Sequence, residues 1–272
     1  MTSQKHTPPA PLNQFVKCIW YWEGAPQTHS KERLMPNGES EIVINLRDDP
    51  IRIYDSKDIE RYETYGHALV GGARSQSFVI DTDTQERIVG IQFQPGGAFP
   101  FFKVPASEIE NRDVSLETLW RSTGDELRER LLAAESTAEI FSLIEQYLLR
   151  QLVRPLELHP AVAFALGSFC RSPHQITVAT VLDKLGLSHR RFIQIFHNQV
   201  GLTPKTFCRV RRFQRVLSSV HRRREIEWAQ VALDCGYYDQ AHFNHDFQSF
   251  SGFTPSTYLA RATEHLNHVP LI

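Results

Sequence analysis

The sequence predicts an α+β protein of two domains, in which a β-rich, sandwich-like domain that ends in helices precedes an all-α domain. The length of 272 residues exceeds one ordinary domain, and contents of 41% hydrophobic and 22% charged residues are typical of globular proteins. Short β-branched and aromatic runs fill the chain up to residue 102, whereas helical spacing begins at residue 124. We therefore place a β-rich domain at 1–152, a linker at 153–160 and a helical domain at 161–272.

The individual elements follow from local patterns. Strand-like runs separated by Gly, Pro, Asn or Asp indicate a sandwich or small barrel. They lie at 15–22, 41–46, 51–54, 77–80 and 87–93. Apolar residues recur at helical spacing over 125–134 and 137–152, with Thr137 as the expected N-cap of the second helix. Two prolines in the linker break that helix, and everything after them is predicted to be helical.

Charge is distributed unevenly between the two parts. From Pro155 onward there are 13 Lys and Arg against 8 Asp and Glu, whereas the first 154 residues hold 17 against 23. Nine of the 12 histidines also lie in the basic part. This asymmetry indicates a polyanionic partner for the carboxy-terminal part alone.

The sequence does not resemble that of a membrane or secreted protein. No apolar run approaches the roughly 20 residues that cross a bilayer, and the first 12 residues are polar and proline-rich, unlike a signal peptide. Four cysteines, Cys18, Cys170, Cys208 and Cys235, lack the short spacing of a disulfide or zinc framework. We expect reduced thiols in a cytoplasmic protein that does not contact a membrane.

An internal repeat occupies the last third of the chain. The first copy has Gly186, Phe192, Phe196 and Gly201-Leu-Thr-Pro204, and the second has Gly236, Phe243, Phe247 and Gly252-Phe-Thr-Pro255. The intervals from Phe to Phe, from Phe to Gly and from Gly to Thr-Pro are identical in the two copies. A duplicated structural unit explains these matches most simply.

Each copy is predicted to be a helix, a tight turn and a second helix. Gly186 and Gly236 supply the turns, while Ser188 and Asp239 cap the second helices. The Thr-Pro pairs then open a further helix, because Thr caps a helix and Pro fits its first turn. Two helices joined by a glycine turn form a helix-turn-helix, whose second helix enters the major groove of DNA.

The second helices carry polar outer faces opposite an apolar side. The outer residues are Arg190, Ile193, Gln194 and His197 in the first copy, and Gln240, Ala241, Asn244 and His245 in the second. Arg and Gln make bidentate contacts with guanine and adenine, and small or apolar side chains contact the thymine methyl group. Polar outer faces are also the rule for solvated helices, but two copies in a basic domain favour DNA binding.

One long helix over 205–220 connects the two copies and carries Arg209, Arg211, Arg212 and Arg215. These arginines either contact phosphates or join the two copies. We expect phosphate contacts at Ser188, Arg191, Lys205, Arg209 and Arg211. The run His221-Arg-Arg-Arg224 is predicted to be either a phosphate clamp or a solvated loop.

The stretch from Trp228 to Pro255 closely resembles the second helix-turn-helix of the AraC/XylS family, and Ser188 to Phe196 with Gly201 to Pro204 resembles the first. The resemblance covers about residues 160–262. It implies a seven-helix domain that binds double-stranded DNA, and gene regulation, commonly activation through RNA polymerase. It assigns base reading to Arg190, Ile193, Gln194, Gln240, Ala241, His242 and His245. The usual Arg at position 245 is His here, a shorter and pH-sensitive donor.

The front part also resembles a domain of such regulators. The run Val89 to Phe102, followed by Val104 to Ile109 and Leu116 to Trp120, is similar to an uncharacterised amino-terminal domain common among them. The resemblance implies a cupin-like β fold in which relatives hold an effector.

Three functions for the amino-terminal domain stay open. A sensor would bind a small organic effector with aromatic side chains, for which we expect Trp20, Trp22 and Phe93. A platform for homodimers or protein partners would use the amphipathic helices over 125–152. An enzyme is the least supported, because only three histidines precede residue 155 and no HExxH, nucleophile elbow or phosphate loop occurs. We therefore predict no catalytic residue, metal or cofactor.

Overall fold

Two antiparallel sheets form the amino-terminal domain in the computed structural model, which describes residues 2–25, 29–171, 176–221 and 226–271. The strands are β1 Thr2–His6, β2 Val16–Glu23, β3 Lys31–Leu34, β4 Glu41–Asn45, β5 Ile51–Tyr54, β6 Tyr62–Tyr65, β7 Ala68–Gly71, β8 Phe78–Asp81, β9 Arg87–Phe93, β10 Asp113–Ser115 and β11 His268–Leu271. One sheet has the order β1-β2-β9-β4-β7-β10, and the other has the order β11-β3-β8-β5-β6.

The five predicted strands are confirmed to within one residue at each end. Alternation explains why they were recognisable. Ile42 and Ile44 of β4 are buried, and Val89 and Ile91 of β9 are buried beside them on the same face. The helices α1 Leu116–Trp120, α2 Ser122–Ala133 and α3 Thr137–Arg150 cover that face and complete one hydrophobic core.

The N-cap of α3 is one residue earlier than predicted. The hydroxyl of Ser136, not that of Thr137, accepts a hydrogen bond from the backbone N–H of Glu139. Thr137 has become the first residue of the helix. The shift is small because a Ser and a Thr stand side by side and either can cap.

Seven helices lie in the described residues of the carboxy-terminal part: α4 Pro160–Arg171, α5 Val178–Leu182, α6 His189–Val200, α7 Pro204–Val220, α8 Trp228–Asp234, α9 Gln240–Ser251 and α10 Pro255–Arg261. The predicted caps Ser188, Thr203, Asp239 and Thr254 all accept a backbone hydrogen bond three residues ahead. Within the described ranges, no helix combines the length and the apolar composition needed to cross a membrane.

The repeated phenylalanines form the core of the two helical units. In the first unit, the ring of Phe196 packs against Phe192 at 5.7 Å and against Phe207 of α7 at 5.8 Å. In the second, Phe247 packs against Phe243 at 5.7 Å and against Phe213 of α7 at 5.3 Å. Helix α7 therefore contributes one aromatic ring to each unit and belongs to both cores.

The end of the chain is not helical, contrary to the prediction. β11 pairs antiparallel with β3, so that His268 lies opposite Leu34 and Leu271 opposite Lys31. Val269 of β11 is fully buried in the core of the helical part. The division into 1–152, 153–160 and 161–272 stays a prediction, but this last strand of the third segment belongs to a sheet of the first.

Helices α6 and α9, which carry the residues predicted to read DNA bases, both end against the amino-terminal domain. At the end of α6, His197 is bonded to Glu110 at 2.8 Å, and the hydroxyl of Ser107 donates to Asn198 at 3.2 Å. At the end of α9, the backbone N–H of Ser77 donates to the carbonyl of Phe250 at 3.1 Å. The amino ends of both helices therefore point away from this domain.

Gly201 tests this contact, and Gly186 is a matched control. Both have a left-handed backbone, with φ of +88° at Gly201 and +63° at Gly186. A Cβ at Gly201 would lie 3.0 Å from the Cβ of Ala73 and 3.2 Å from the carbonyl oxygen of Ala106, whereas one at Gly186 would meet nothing within 4 Å. We expect Gly186→Ala to cost about 1 kcal/mol of backbone strain and Gly201→Ala to cost more. Urea unfolding of the two variants measures the difference, and equal losses would contradict the packing of α6 against the amino-terminal domain.

Candidate nucleic-acid interface

The amino-terminal half of α6 carries the first predicted reading surface. Arg190 and Gln194 are exposed and Ile193 is partly exposed. The residues buried on the opposite side are Phe192, Ile195, Phe196 and Val200. His197, which the sequence also placed on the outer face, is instead held by Glu110 at the docked end of the helix.

The second reading surface lies on α9. All four predicted base-reading residues of this unit, Gln240, Ala241, His242 and His245, are exposed. Asp239 caps the helix by accepting the backbone N–H of His242 at 2.7 Å. Opposite them, Phe243, Phe247 and Phe250 are buried as expected.

A buried carboxylate on α9 was not foreseen from the sequence. The side chain of Asp246 is only 2% exposed, and its Oδ1 accepts from the guanidinium of Arg209 on α7 at 2.7 Å. This hydrogen bond raises the pKa of Arg209 above its usual value. Because a buried carboxylate needs a partner, Arg209 serves as a bridge between the connector helix and the second unit.

Two other arginines of α7 are also engaged within the protein. Arg212 donates to the carbonyl of Gly236 at 3.0 Å and lies over the ring of Tyr237 at 5.1 Å. Arg211 lies 3.7 Å from the carboxylate of Glu39 in the amino-terminal domain. The structure therefore favours a role for these arginines in joining parts of the protein. Phosphate contact at Arg209 and Arg211 stays a prediction, which these contacts do not support.

The remaining phosphate candidates are accessible. Ser188, Arg191 and Lys205 are exposed, and no carboxylate partner of Lys205 occurs among the described residues. Of the run at 221–224, only His221 falls within the described residues, so the predicted phosphate clamp lies outside them.

A groove of about 590 Å³ separates the amino end of α5 from α9 and is floored by the first turns of α7. It is lined by Thr177, Lys205, Arg209, Arg212, His242 and His245, among others. Apart from Asp246, whose charge Arg209 compensates, its ionisable groups are cations or histidines. A polyanion would be attracted into this groove.

The aromatic residues predicted to bind an effector are not brought together. Trp20 pairs with Gly90, and Cys18 pairs with Gln92, which in turn lies opposite Glu41. Paired residues share a face, so Trp20 and Trp22 lie on the face that carries Gln92 and Glu41. Phe93 lies on the other face, is fully buried and packs against Phe101 at 5.5 Å. Effector binding at these three residues stays a prediction, and Phe93 contributes to the core.

A small cavity between the two sheets was missed by sequence reasoning. It has a volume of about 90 Å³, and its polar lining includes Glu39, Glu41, Arg74 and Gln92. The only local signal was a charged residue at the start of an apolar strand, at Glu41. Burial raises the pKa of Glu41 above its ordinary value. Within the described residues, no group of three or more His, Cys, Asp or Glu side chains is placed to hold a metal ion.

Comparison with known proteins separates the chain into the same two parts. Residues 4–115 match a family described as a domain of unknown function, DUF6597, and residues 181–261 match a helix-turn-helix domain family. A search of curated proteins finds no match.

Several solved structures are similar at low identity. ToxT from Vibrio cholerae, bound to (E)-4-(8-methylnaphthalen-1-yl)but-3-enoic acid, is 10% identical with a TM-score of 0.48, covering 96% of this chain and 99% of that chain. The DNA-binding domain of AdpA, a global transcriptional factor in complex with a target DNA, is 20% identical with a TM-score of 0.34, covering 38% of this chain and 92% of that chain. At these TM-scores the likenesses add no argument to the family match. The match over residues 181–261 agrees with the two helix-turn-helix units that the structure shows in this part of the chain.

Proposed function

We propose that the protein regulates transcription by binding a specific sequence of double-stranded DNA, with α6 and α9 in neighbouring major grooves. One observation carries this proposal. Two equivalent helices expose polar amino-terminal halves, and each has its carboxyl end held by the amino-terminal domain. In helix-turn-helix proteins the amino-terminal residues of the second helix contact the base edges.

The exposed side chains differ in what they can read. Arg190 suits the O6 and N7 atoms of guanine, and Gln194 and Gln240 suit the N6 and N7 atoms of adenine. Ile193 and Ala241 offer only apolar contact, which suits a thymine methyl group. His242 and His245 offer one ring nitrogen each to a base or phosphate, and His242 is also oriented by the ring of Tyr237 at 5.3 Å.

Phosphate contacts would come from the amino ends of the helices and from the groove between them. Ser188 and Arg191 lie in the first turn of α6, where free backbone N–H groups favour an anion. Lys205 lies in the first turn of α7 and lines the groove. These contacts would fix the position of the protein on the duplex without reading its sequence.

The amino-terminal domain would then act as a sensor for a small molecule, since it contains a partly open polar cavity whose wall contacts α7. The alternative function, a platform for a homodimer or a protein partner, is supported by exposed apolar residues at the ends of α2 and α3. Leu132 is 38% exposed and Leu149 is 43% exposed. Contact with RNA polymerase is a further proposal, for which the structure offers no residue.

Replacing the reading side chains should reduce specificity. We expect Arg190→Ala and Gln240→Ala each to weaken binding to a selected duplex by about 1–3 kcal/mol and to leave binding to random DNA nearly unchanged. The selected duplex is obtained by enriching a random library on the full chain, and fluorescence anisotropy measures both affinities.

Gln248→Ala is the matched control for Gln240→Ala. Gln248 is exposed on α9 as well, but near the end of the helix that contacts the amino-terminal domain. It should change neither affinity. Equal losses on selected and random DNA for Arg190→Ala or Gln240→Ala would refute the base-reading role of that residue.

Lys205 and Arg209 should behave differently although both line the groove. Lys205→Ala should weaken binding to all sequences alike and reduce the slope of log K against log salt by about 1, because one phosphate contact is lost. Arg209→Ala should leave that slope unchanged but lower the free energy of unfolding by about 2–3 kcal/mol, because Asp246 stays buried without its partner. Salt titrations and urea unfolding distinguish the two, and a reduced slope with unchanged stability for Arg209→Ala would show that Arg209 contacts phosphate.

A further inference from the structure

The partly open cavity between the two sheets is lined by three parts of the chain. The six-stranded sheet contributes Glu41 and Gln92, the five-stranded sheet contributes Phe78, and the segment before β11 contributes Asn267. Its volume of about 90 Å³ corresponds to about three water molecules at their volume in the liquid. The cavity can therefore hold a small polar molecule or the head group of a larger one.

Most charged groups that surround this cavity have a partner of opposite sign. Arg74 forms a close ion pair with Asp113, and Glu39 lies 2.9 Å from the ammonium of Lys17. His268 is bonded to Glu32 at 2.7 Å. These pairs leave little net charge to attract a ligand.

Glu41 is the exception. Among the described residues it has no hydrogen bond and no ion pair, although its side chain lines the cavity. The guanidinium of Arg74 is near enough to lower the pKa of Glu41, but burial outweighs it and the pKa is raised. Asp113 also lies on this side, since a Cβ at Gly71 would be 3.4 Å from both its Oδ1 and the Cγ of Glu41. A partly buried carboxylate that lacks a hydrogen-bonded or ion-paired partner in the protein is less favourable than one in water, and a cation in the cavity would supply that partner.

We propose that this cavity binds the ammonium or guanidinium group of a small organic cation, with the carboxylate of Glu41 as its counter-ion. The inference rests on the proposed sensor role and names its ligand class. A charged N–H donor forms a short, strong hydrogen bond with a carboxylate, and partial withdrawal of that carboxylate from water strengthens the bond. The side chain of Gln92, opposite Glu41 on β9, offers a second polar contact.

The wall of the cavity links this site to the reading helices. The segment 35–40 lines the cavity and also lies on α7. The carbonyl of Pro36 accepts from Gln214 at 2.8 Å, and a Cβ at Gly38 would contact Leu202, Phe207 and Val210 at 3.5 Å each. An occupant that moved or fixed this segment would act directly on the helix that joins the two units.

The test uses the full chain and three probes: methylammonium, ethanolamine and guanidinium. Ligands of a few atoms bind weakly at best, so each probe is titrated to about 100 mM. We expect at least one of them to raise the melting temperature in a saturable way, while acetate and tetramethylammonium at equal ionic strength do not. Tetramethylammonium is the matched probe, because it carries the same charge without an N–H donor.

Glu41→Gln keeps the shape of the side chain and removes its charge, and Glu129→Gln removes an exposed carboxylate from α2 as the control. The affinity of the bound probe should fall at least about tenfold in Glu41→Gln and stay unchanged in Glu129→Gln. The absence of saturable binding by all three probes, equal binding of tetramethylammonium, or unchanged affinity in Glu41→Gln would each overturn the proposal.

The comparison of probes uses the native chain alone. It therefore tests the proposed amine site even if the Glu41→Gln variant does not fold. Probe binding is measured without DNA, and the DNA titrations contain no amine. A failure of the amine site therefore leaves the DNA-binding proposal standing, and a failure of DNA binding leaves the amine site standing.

Discussion

Helices α6 and α9 both pack against the amino-terminal domain. The relative placement of the two helix-turn-helix units depends on this packing. The buried residues of both units belong to one hydrophobic cluster, to which α7 contributes an aromatic ring on each side. Two helices that were joined only through the connecting helix α7 could still rotate about that helix. Contacts at the ends of α6 and α9, through Glu110 and Ser77, remove that freedom. The distance between the two reading surfaces is thus set partly by residues outside the helix-turn-helix units.

Several basic side chains of the carboxy-terminal part are paired with groups within the protein. Arg209 and Arg212 hold the second unit against α7, and Arg211 reaches Glu39 of the other domain. Charged pairs of this kind add little net stability compared with apolar packing, but they fix orientation because each charge needs one particular partner. Exposed cations remain at helix starts, such as Arg190 and Lys205. Net charge alone would have overestimated the surface that attracts a duplex.

Local sequence signals predicted most elements and all four N-caps of the repeated units, because a cap or an alternating strand depends on residues within a few positions. The edge strands β1 and β6 were missed, since their residues are mostly exposed and show no alternation. β11 was missed because it exists only through pairing with β3, more than 200 residues earlier. The partner of Arg209 and the cavity around Glu41 were missed for the same reason, as their residues converge only in the fold. The base-reading residues stay a prediction, which the helical spacing and the resemblance suggest without any long-range contact.

The unpaired carboxylate also limits how an occupant of the cavity could act. A ligand shifts an equilibrium only by the difference in its affinity for the two states. The segment 35–40 and Asn267 line the cavity together with Glu41, and the carbonyl of Pro36 and the side chain of Asn267 both accept hydrogen bonds from Gln214 of α7. If the domains separated, Glu41 would become more accessible to water and a cation would gain less from it. A cationic occupant therefore stabilises the docked state over the open one, and so holds the two reading helices at the spacing that docking sets.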